Sequence, residues 1–182
     1  MTGRPVFLAA PVRTPIGRFG GGFASLTAVE LGVAAARACI QRAGIDPGAI
    51  QEVFFGHARQ AGCGPNPARQ VAIGSGCAET APAMTLNQAC ASGMRAVMLA
   101  ARAVASGERE LVLAGGMESM SNTPYYLAQA RWGLRMGHQE LVDGMYKYGF
   151  HCPLADQLMG RTAETLAEQQ GLALKLEAKG PL

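Results

Sequence analysis

The sequence is poor in aromatic and charged side chains. Aromatic residues make up 6% of its 182 positions and charged residues 16%, whereas hydrophobic residues make up 49% and glycine occurs 24 times. With so few bulky rings, the interior must be packed from small side chains, which lets helices and strands approach one another closely. The length is sufficient for one domain of ordinary size with its own hydrophobic core.

The sequence also lacks the signals of several kinds of partner. The net charge is only +3, and no run of Lys or Arg is interleaved with aromatic residues as in a nucleic-acid groove. No apolar run has the length of a membrane span or the form of a signal peptide. The five cysteines form no CxxC pair and lie at no ligand spacing from the three histidines. We therefore expect no nucleic acid, no membrane and no metal, and a reduced, cytoplasmic location.

Short apolar runs alternate with longer Ala-rich segments along the first two thirds of the chain. Strands are predicted at residues 6–9, 52–56, 83–87 and 111–115. Helices are predicted from the capping box of Thr27 and Glu30 to Gly44, from Pro67 onwards, and from Ser92 to Ser106. Four strands alternating with three helices predict an α/β fold, a layered and mostly parallel sheet in the order βαβαβαβ.

The pattern changes after residue 116. Residues 117 to about 155 carry all four tyrosines and the single tryptophan and show no clean period, which is typical of a functional loop region. A helix is predicted at residues 159–170. We therefore divide the chain into an α/β domain at 1–116, a loop region with a helix at 117–171, and a short tail at 172–182.

The segment from Asn87 to Gly93, with the sequence NQACASG, carries the most chemical information. Its cysteine, Cys90, falls where a buried strand ends and an Ala-rich helix begins. The unpaired N–H groups at a helix start favour a thiolate over a thiol, so a cysteine placed there is a better nucleophile. From position alone, a small buried residue at a tight turn is an equally good interpretation.

The NQACASG segment resembles the nucleophile motif of the thiolase family, and the resemblance extends to about residue 171. Four further segments resemble thiolase motifs at the expected intervals: APVRTPIG at residues 10–17, NPARQ at 66–70, GGMESMS at 115–121 and MGRTAE at 159–164. The NPARQ and GGMESMS strings also fit thiolases better than the related ketoacyl synthases. The glutamate of GGMESMS, Glu118, is expected to bind backbone N–H groups rather than act as a base.

The resemblance implies an acyl-CoA C-acyltransferase of fatty acid metabolism. Cys90 would take the acyl group from a CoA thioester, and its backbone N–H is a candidate donor to the oxyanion. Met159 would line the channel for the pantetheine of CoA. Acyl-CoA thioesters would be substrates, with no permanently bound cofactor, and the complete protein would be a homo-oligomer, a tetramer in the family.

The sequence departs from the thiolase pattern in its extent. A thiolase has a second α/β half that supplies an activating histidine, an asparagine-held water and a second cysteine, and none of these motifs follows residue 171. The sequence therefore predicts a truncated chain, inactive alone because Cys90 lacks its base. The alternative is a noncatalytic remnant or interaction module that uses the aromatic residues between Tyr125 and Phe150.

The sequence also departs from the thiolase pattern at residue 158, where it has leucine and many biosynthetic members have histidine. We therefore expect acyl-CoA thiolysis in general rather than acetoacetyl-CoA synthesis in particular.

Overall fold

The computed structural model describes residues 4–172; the predicted tail lies outside them except for Leu172. The chain forms two compact units that divide between Thr123 and Pro124. The helices and strands of the first unit are α1 (Ala28–Ala43), β1 (Glu52–Gly56), α2 (Pro67–Gly74), β2 (Ala83–Leu86), α3 (Ser92–Ala105) and β3 (Val112–Gly116). Short 3-10 turns at Pro47–Ala49 and Met120–Asn122 complete it.

The three strands form a parallel sheet in the order β2-β1-β3. Phe54 in the central strand pairs with Met84 of β2 and Ala114 of β3. Its neighbours Val53 and Phe55 belong to a core shared with α1 and α2, whereas the Phe54 side chain packs with α3 on the opposite face. Both faces of the sheet are therefore covered by helices, and the predicted layered α/β class is confirmed.

The helix boundaries follow local signals in the sequence. The Thr27 hydroxyl accepts from the Glu30 N–H at 3.2 Å, and the Glu30 carboxylate accepts from the Thr27 N–H at 2.8 Å, so the predicted capping box starts α1. At its end, Gly44 adopts a left-handed conformation with φ of 66°. Pro67 opens α2 after the N-cap Asn66. These predictions are confirmed.

The first predicted strand is wrong. Residues 6–9 have no regular secondary structure, and Phe7 and Leu8 are 84% and 80% exposed. A cavity of about 760 Å³ is lined both by this segment and by β3, which is an edge strand. A strand exists only through hydrogen bonds to a neighbour, so apolar residues that pair with no neighbouring strand form no strand. Within the described residues the order is therefore αβαβαβ rather than βαβαβαβ.

Within residues 124–172, the second unit has two short antiparallel ladders, one α-helix, a 3-10 turn at Ala128–Trp132 and a π-helical turn at Tyr146–Phe150. Its elements are β4 (Tyr125–Tyr126) paired with β5 (Val142–Asp143), β6 (His151–Cys152) paired with β7 (Gln157–Leu158), and α4 (Met159–Gln169). The rings of Tyr126 and Tyr148 contact edge to face at 5.1 Å. The irregular character predicted for this region and the helix that follows it are both confirmed. Within residues 4–172, no helix has the length and apolar character that a membrane crossing requires.

Three glycines bring the start of α3 against the sheet. A Cβ added to Gly56, at the end of β1, would lie 2.3 Å from the carbonyl carbon of Ser92 and 2.4 Å from the nitrogen of Gly93. A Cβ on Gly116, at the end of β3, would lie 3.3 Å from the Gly93 Cα. Backbone therefore touches backbone here, and the ends of two strands fix the position at which α3 begins.

Glu118 connects the end of β3 to the turn after β1. Its two carboxylate oxygens accept from the N–H groups of Ala58 and Arg59 at 3.0 and 3.1 Å, as the sequence predicts. His57, only 1% exposed, places its Nε2 3.2 Å from the same carboxylate. Burial raises the pKa of Glu118, but the contact with His57 and the two backbone N–H groups outweigh it, so the pKa lies below its usual value.

Gly56→Ala is expected to destabilise the first unit by about 3 kcal/mol or more, because the new methyl group meets backbone atoms that cannot rotate away. Urea unfolding followed by circular dichroism measures the change. Gly22→Ala is the matched control, since no atom lies within 4 Å of a Cβ there, and it should leave the free energy of unfolding within about 0.5 kcal/mol. Equal stability of the two variants would show that the contact is dispensable.

Glu118→Gln is expected to lower the free energy of unfolding at neutral pH by about 1 kcal/mol, a small value because 30% of the Glu118 side chain is exposed and solvent screens its charge. Since the folded-state pKa is lowered, the carboxylate stabilises the protein above the unfolded-state pKa, and this contribution is lost as the pH falls through the folded-state pKa. The parent and the variant should therefore converge below about pH 4. Urea unfolding at several pH values, with the exposed Glu108→Gln as control, tests this dependence; a constant difference down to low pH would contradict it.

Candidate active site

Cys90 lies in an exposed turn between β2 and α3, which we call the Cys90 turn (residues 87–91). The strand ends at Leu86 and the helix begins at Ser92, so the structure places the cysteine at the strand-to-helix junction that the sequence predicts. The alternative of a small buried residue is wrong, because the whole turn is exposed.

The Cys90 turn is held in an uncommon backbone conformation. Ala89 has a φ of 47°, the left-handed region that costs a residue with a Cβ about 1–2 kcal/mol. The Ser92 hydroxyl compensates by donating to the Ala89 carbonyl at 2.6 Å while accepting from the Gln88 N–H at 2.8 Å. The Ser92 N–H adds a third bond, to the Ala89 carbonyl at 3.1 Å. These bonds fix the chain on both sides of Cys90.

Asn87 is a residue of the site to which the sequence assigns no role. Its Nδ2 donates to the Ala58 carbonyl at 3.0 Å, and its Oδ1 accepts from the Ala89 N–H at 3.0 Å. The second bond has a local signal, because an asparagine often accepts from the N–H two residues further on. The first bond joins turns that follow different strands, and no sequence pattern indicates it.

The start of α3 supplies N–H groups beside the cysteine. Ala91, the residue before the helix, makes no side-chain cap, and the N–H groups of a first turn such as those of Gly93 and Met94 have no acceptor within the helix. Such groups stabilise negative charge close to them. An exposed thiol next to a helix start is an arrangement suited to nucleophilic attack and to holding an oxyanion.

The remaining cysteines of the first unit are less suited to this chemistry. Burial raises the pKa of the Cys39 thiol. Burial, and then the charge of Glu118, raise the pKa of Cys63. Cys77 is buried within the core formed by α1 and α2. Reactivity requires an accessible thiolate, and Cys90 is the cysteine in this unit with an exposed side chain.

Met159, predicted to line a pantetheine channel, is the first residue of α4 in the second unit and is 46% exposed. Exposure leaves it available to a ligand, and its role stays a prediction. Among residues 4–172, no three His, Cys, Asp or Glu side chains come together in a way that would hold a metal ion.

The sequence matches the thiolase N-terminal domain family over residues 6–178. Acetyl-CoA acetyltransferase 2 of Arabidopsis thaliana is 49% identical over 166 residues, which cover 91% of this chain and 41% of the relative. An acetyl-CoA acetyltransferase of Pseudomonas aeruginosa is 47% identical over 167 residues, with 92% and 42% covered. The chain therefore spans about two fifths of the length of these relatives.

Solved structures give the same result. An acetyl-CoA acetyltransferase from Bacillus anthracis superposes with a TM-score of 0.83 at 40% identity, covering 89% of this chain and 41% of that one. A thiolase from Ascaris suum in complex with coenzyme A gives a TM-score of 0.85 at 36% identity, with 89% and 42% covered. By sequence and by fold, this chain belongs to the thiolase family and corresponds to its N-terminal domain.

Proposed function

We propose that this chain provides the acyl-accepting part of an acyl-CoA C-acyltransferase, with Cys90 as the nucleophile. The observation that carries the proposal is the position of Cys90, exposed in a fixed turn directly before α3. Its relatives are named acetyl-CoA acetyltransferases, and a similar structure was solved with coenzyme A. The substrate class is accordingly a CoA thioester.

In the first half-reaction, the Cys90 sulfur attacks the carbonyl carbon of an acyl-CoA. A new carbon–sulfur bond forms, the bond from that carbon to the CoA sulfur breaks, and the proton of the Cys90 thiol leaves with CoA. The developing oxyanion requires N–H donors aimed at it, and the backbone N–H of Cys90 is our candidate for one of them. In the second half-reaction, the α-carbon of another acyl-CoA loses a proton to a base and attacks the acyl carbonyl; the new carbon–carbon bond forms, the bond to the Cys90 sulfur breaks, and that sulfur is reprotonated. In the opposite direction, CoA cleaves a 3-ketoacyl-CoA.

The second half-reaction needs a general base, and none of the thiolase motifs found in these 182 residues supplies one. A base must deprotonate the α-carbon, and the thiolase pattern assigns this chemistry to the second half of the complete enzyme. We propose that the chain alone is inactive in turnover and that Met159 lines the pantetheine channel once the enzyme is complete. We also propose that the complete protein is a homo-oligomer and is located in the cytoplasm.

Incubation of the chain with acetyl-CoA is expected to add the mass of one acetyl group, measured by intact mass spectrometry. The adduct should be absent in Cys90→Ser and present in Cys152→Ser, a control that removes a half-buried thiol from the second unit. Cleavage of acetoacetyl-CoA by residues 1–182 should be slower than that by a complete thiolase by about 100-fold or more, because these residues contain no thiolase motif for the general base. An adduct that persists in Cys90→Ser, or no adduct in any variant, would contradict the proposal.

A second function is favoured by the apolar surface of the second unit. Trp132 is 77% exposed and Met136 is 98% exposed, and exposed apolar side chains are typical of interaction surfaces where they form a contiguous patch. The alternative is thus a noncatalytic module that binds thiolase subunits through this region.

Size-exclusion chromatography is expected to show the chain eluting above its monomer mass of 18.9 kDa, because these side chains would be buried on association. Trp132→Ser combined with Met136→Ser should shift elution toward the monomer. Phe19→Ser, which removes a 69% exposed ring from the first unit, is the control and should not. A parent chain that already elutes as a monomer would count against an association surface here.

A further inference from the structure

Beyond the last backbone bonds at the strand ends, from His57 to Leu86 and from Met117 to Gly56, side chains join the turns that follow the three parallel strands. After β3, Glu118 accepts from the N–H groups of Ala58 and Arg59 in the turn that follows β1. The Ala58 carbonyl in turn accepts from Asn87, the residue directly after β2. A continuous series of hydrogen bonds therefore runs from the carboxylate at one end to the Cys90 turn at the other.

The last bond in this series reaches the residue that orients the cysteine. The Oδ1 of Asn87 accepts from the N–H of Ala89 at 3.0 Å. Ala89 has its left-handed φ of 47° and directly precedes Cys90, so its backbone angles set the direction in which the Cys90 side chain and N–H leave the chain. A conformation of this kind persists only when the surrounding structure fixes it.

Both bonds of the Asn87 side chain lie at the surface. Exposed hydrogen bonds replace bonds to water and contribute little to the stability of the whole fold. The helices and the sheet have their own core and caps. Substitution of Asn87 should therefore loosen the Cys90 turn without lowering the stability of the first unit as a whole.

We propose that Asn87 is a positioning residue for Cys90: its amide joins the Cys90 turn to the turn held by Glu118 and keeps Ala89 in the conformation that aims the sulfur and the N–H of Cys90. The inference rests on the proposed function of Cys90 as the acyl acceptor. Asn87 does not touch the reacting atoms. Its two functions require both a donor and an acceptor, which the amide supplies and a carboxylate or a methyl group does not.

The test uses the full chain with Asn87→Ala, Asn87→Asp and the control Asn66→Ala. Asn66 also donates its Nδ2 to a backbone carbonyl, that of Ala83, and accepts from a backbone N–H, that of Arg69. It does so at the start of α2, where its Oδ1 also accepts from the Thr85 hydroxyl of β2, so its loss removes the same kinds of bond outside the Cys90 turn.

The first readout is amide hydrogen exchange of the peptide that covers residues 87–92. Asn87→Ala should accelerate exchange there by about tenfold, since opening of the turn no longer breaks the Asn87 bonds. Asn87→Asp keeps the acceptor for the Ala89 N–H but loses the donor to the Ala58 carbonyl, so it should restore only part of the protection. Asn66→Ala should leave this peptide unchanged.

The second readout is alkylation of individual cysteines by iodoacetamide, followed by peptide mass spectrometry. In Asn87→Ala, Cys90 should react more slowly by about threefold or more, because its sulfur is no longer held in one orientation at the start of α3, where backbone N–H groups stabilise negative charge. Cys77 is buried and reports unfolding of the whole unit, so its alkylation should not change.

Unchanged exchange at residues 87–92 in Asn87→Ala would overturn the proposal, as would unchanged alkylation of Cys90 in a turn that exchanges faster. A parallel rise in Cys77 alkylation would also overturn it, since Asn87 would then act through global stability. Neither readout depends on acyl transfer. If the parent chain forms no acetyl adduct, the proposed function fails, while these measurements still decide whether Asn87 positions Cys90.

Discussion

The close approach of backbone to backbone at Gly56, Gly93 and Gly116 is the constraint on which the site depends. A helix that packs on a sheet through side chains can slide or tilt by the length of a rotamer change, whereas glycine contacts leave no such freedom. Because the Cys90 turn lies directly before α3, the position of the helix start also sets the position of Cys90, the proposed nucleophile. The abundance of small residues in the sequence is thus a requirement of the site as well as of the core.

The parts of the fold that the sequence predicts correctly are those that depend on interactions between residues close together in the chain. The capping box at Thr27, the helix stop at Gly44 and the helix start at Pro67 each depend on residues within a few positions of one another. The junction that holds Cys90 is predictable for the same reason, since a strand end and a helix start are both local features. These elements appear in the structure within one residue of their expected bounds.

Features that depend on distant partners could not be predicted in this way. Residues 6–9 have the composition of a strand, but pairing requires a neighbour, and β3 lies across a cavity from them. The bond from Asn87 to Ala58 joins segments that meet only after the sheet has formed. Glu118 was interpretable because the family resemblance marks its turn as structural, whereas its contact with the buried His57 was not.

The strand order β2-β1-β3 has a consequence for synthesis on the ribosome. The central strand is the first of the three to emerge, and its Val53, Phe54 and Phe55 are buried on both faces in the finished sheet. One neighbour follows at Ala83 and the other only at Val112. At typical rates of translation, about 5–20 residues per second, this apolar segment waits several seconds for its second partner. During that interval the apolar side chains of β1 remain exposed on the nascent chain. The order of the strands therefore makes β1 a natural site for a chaperone to bind.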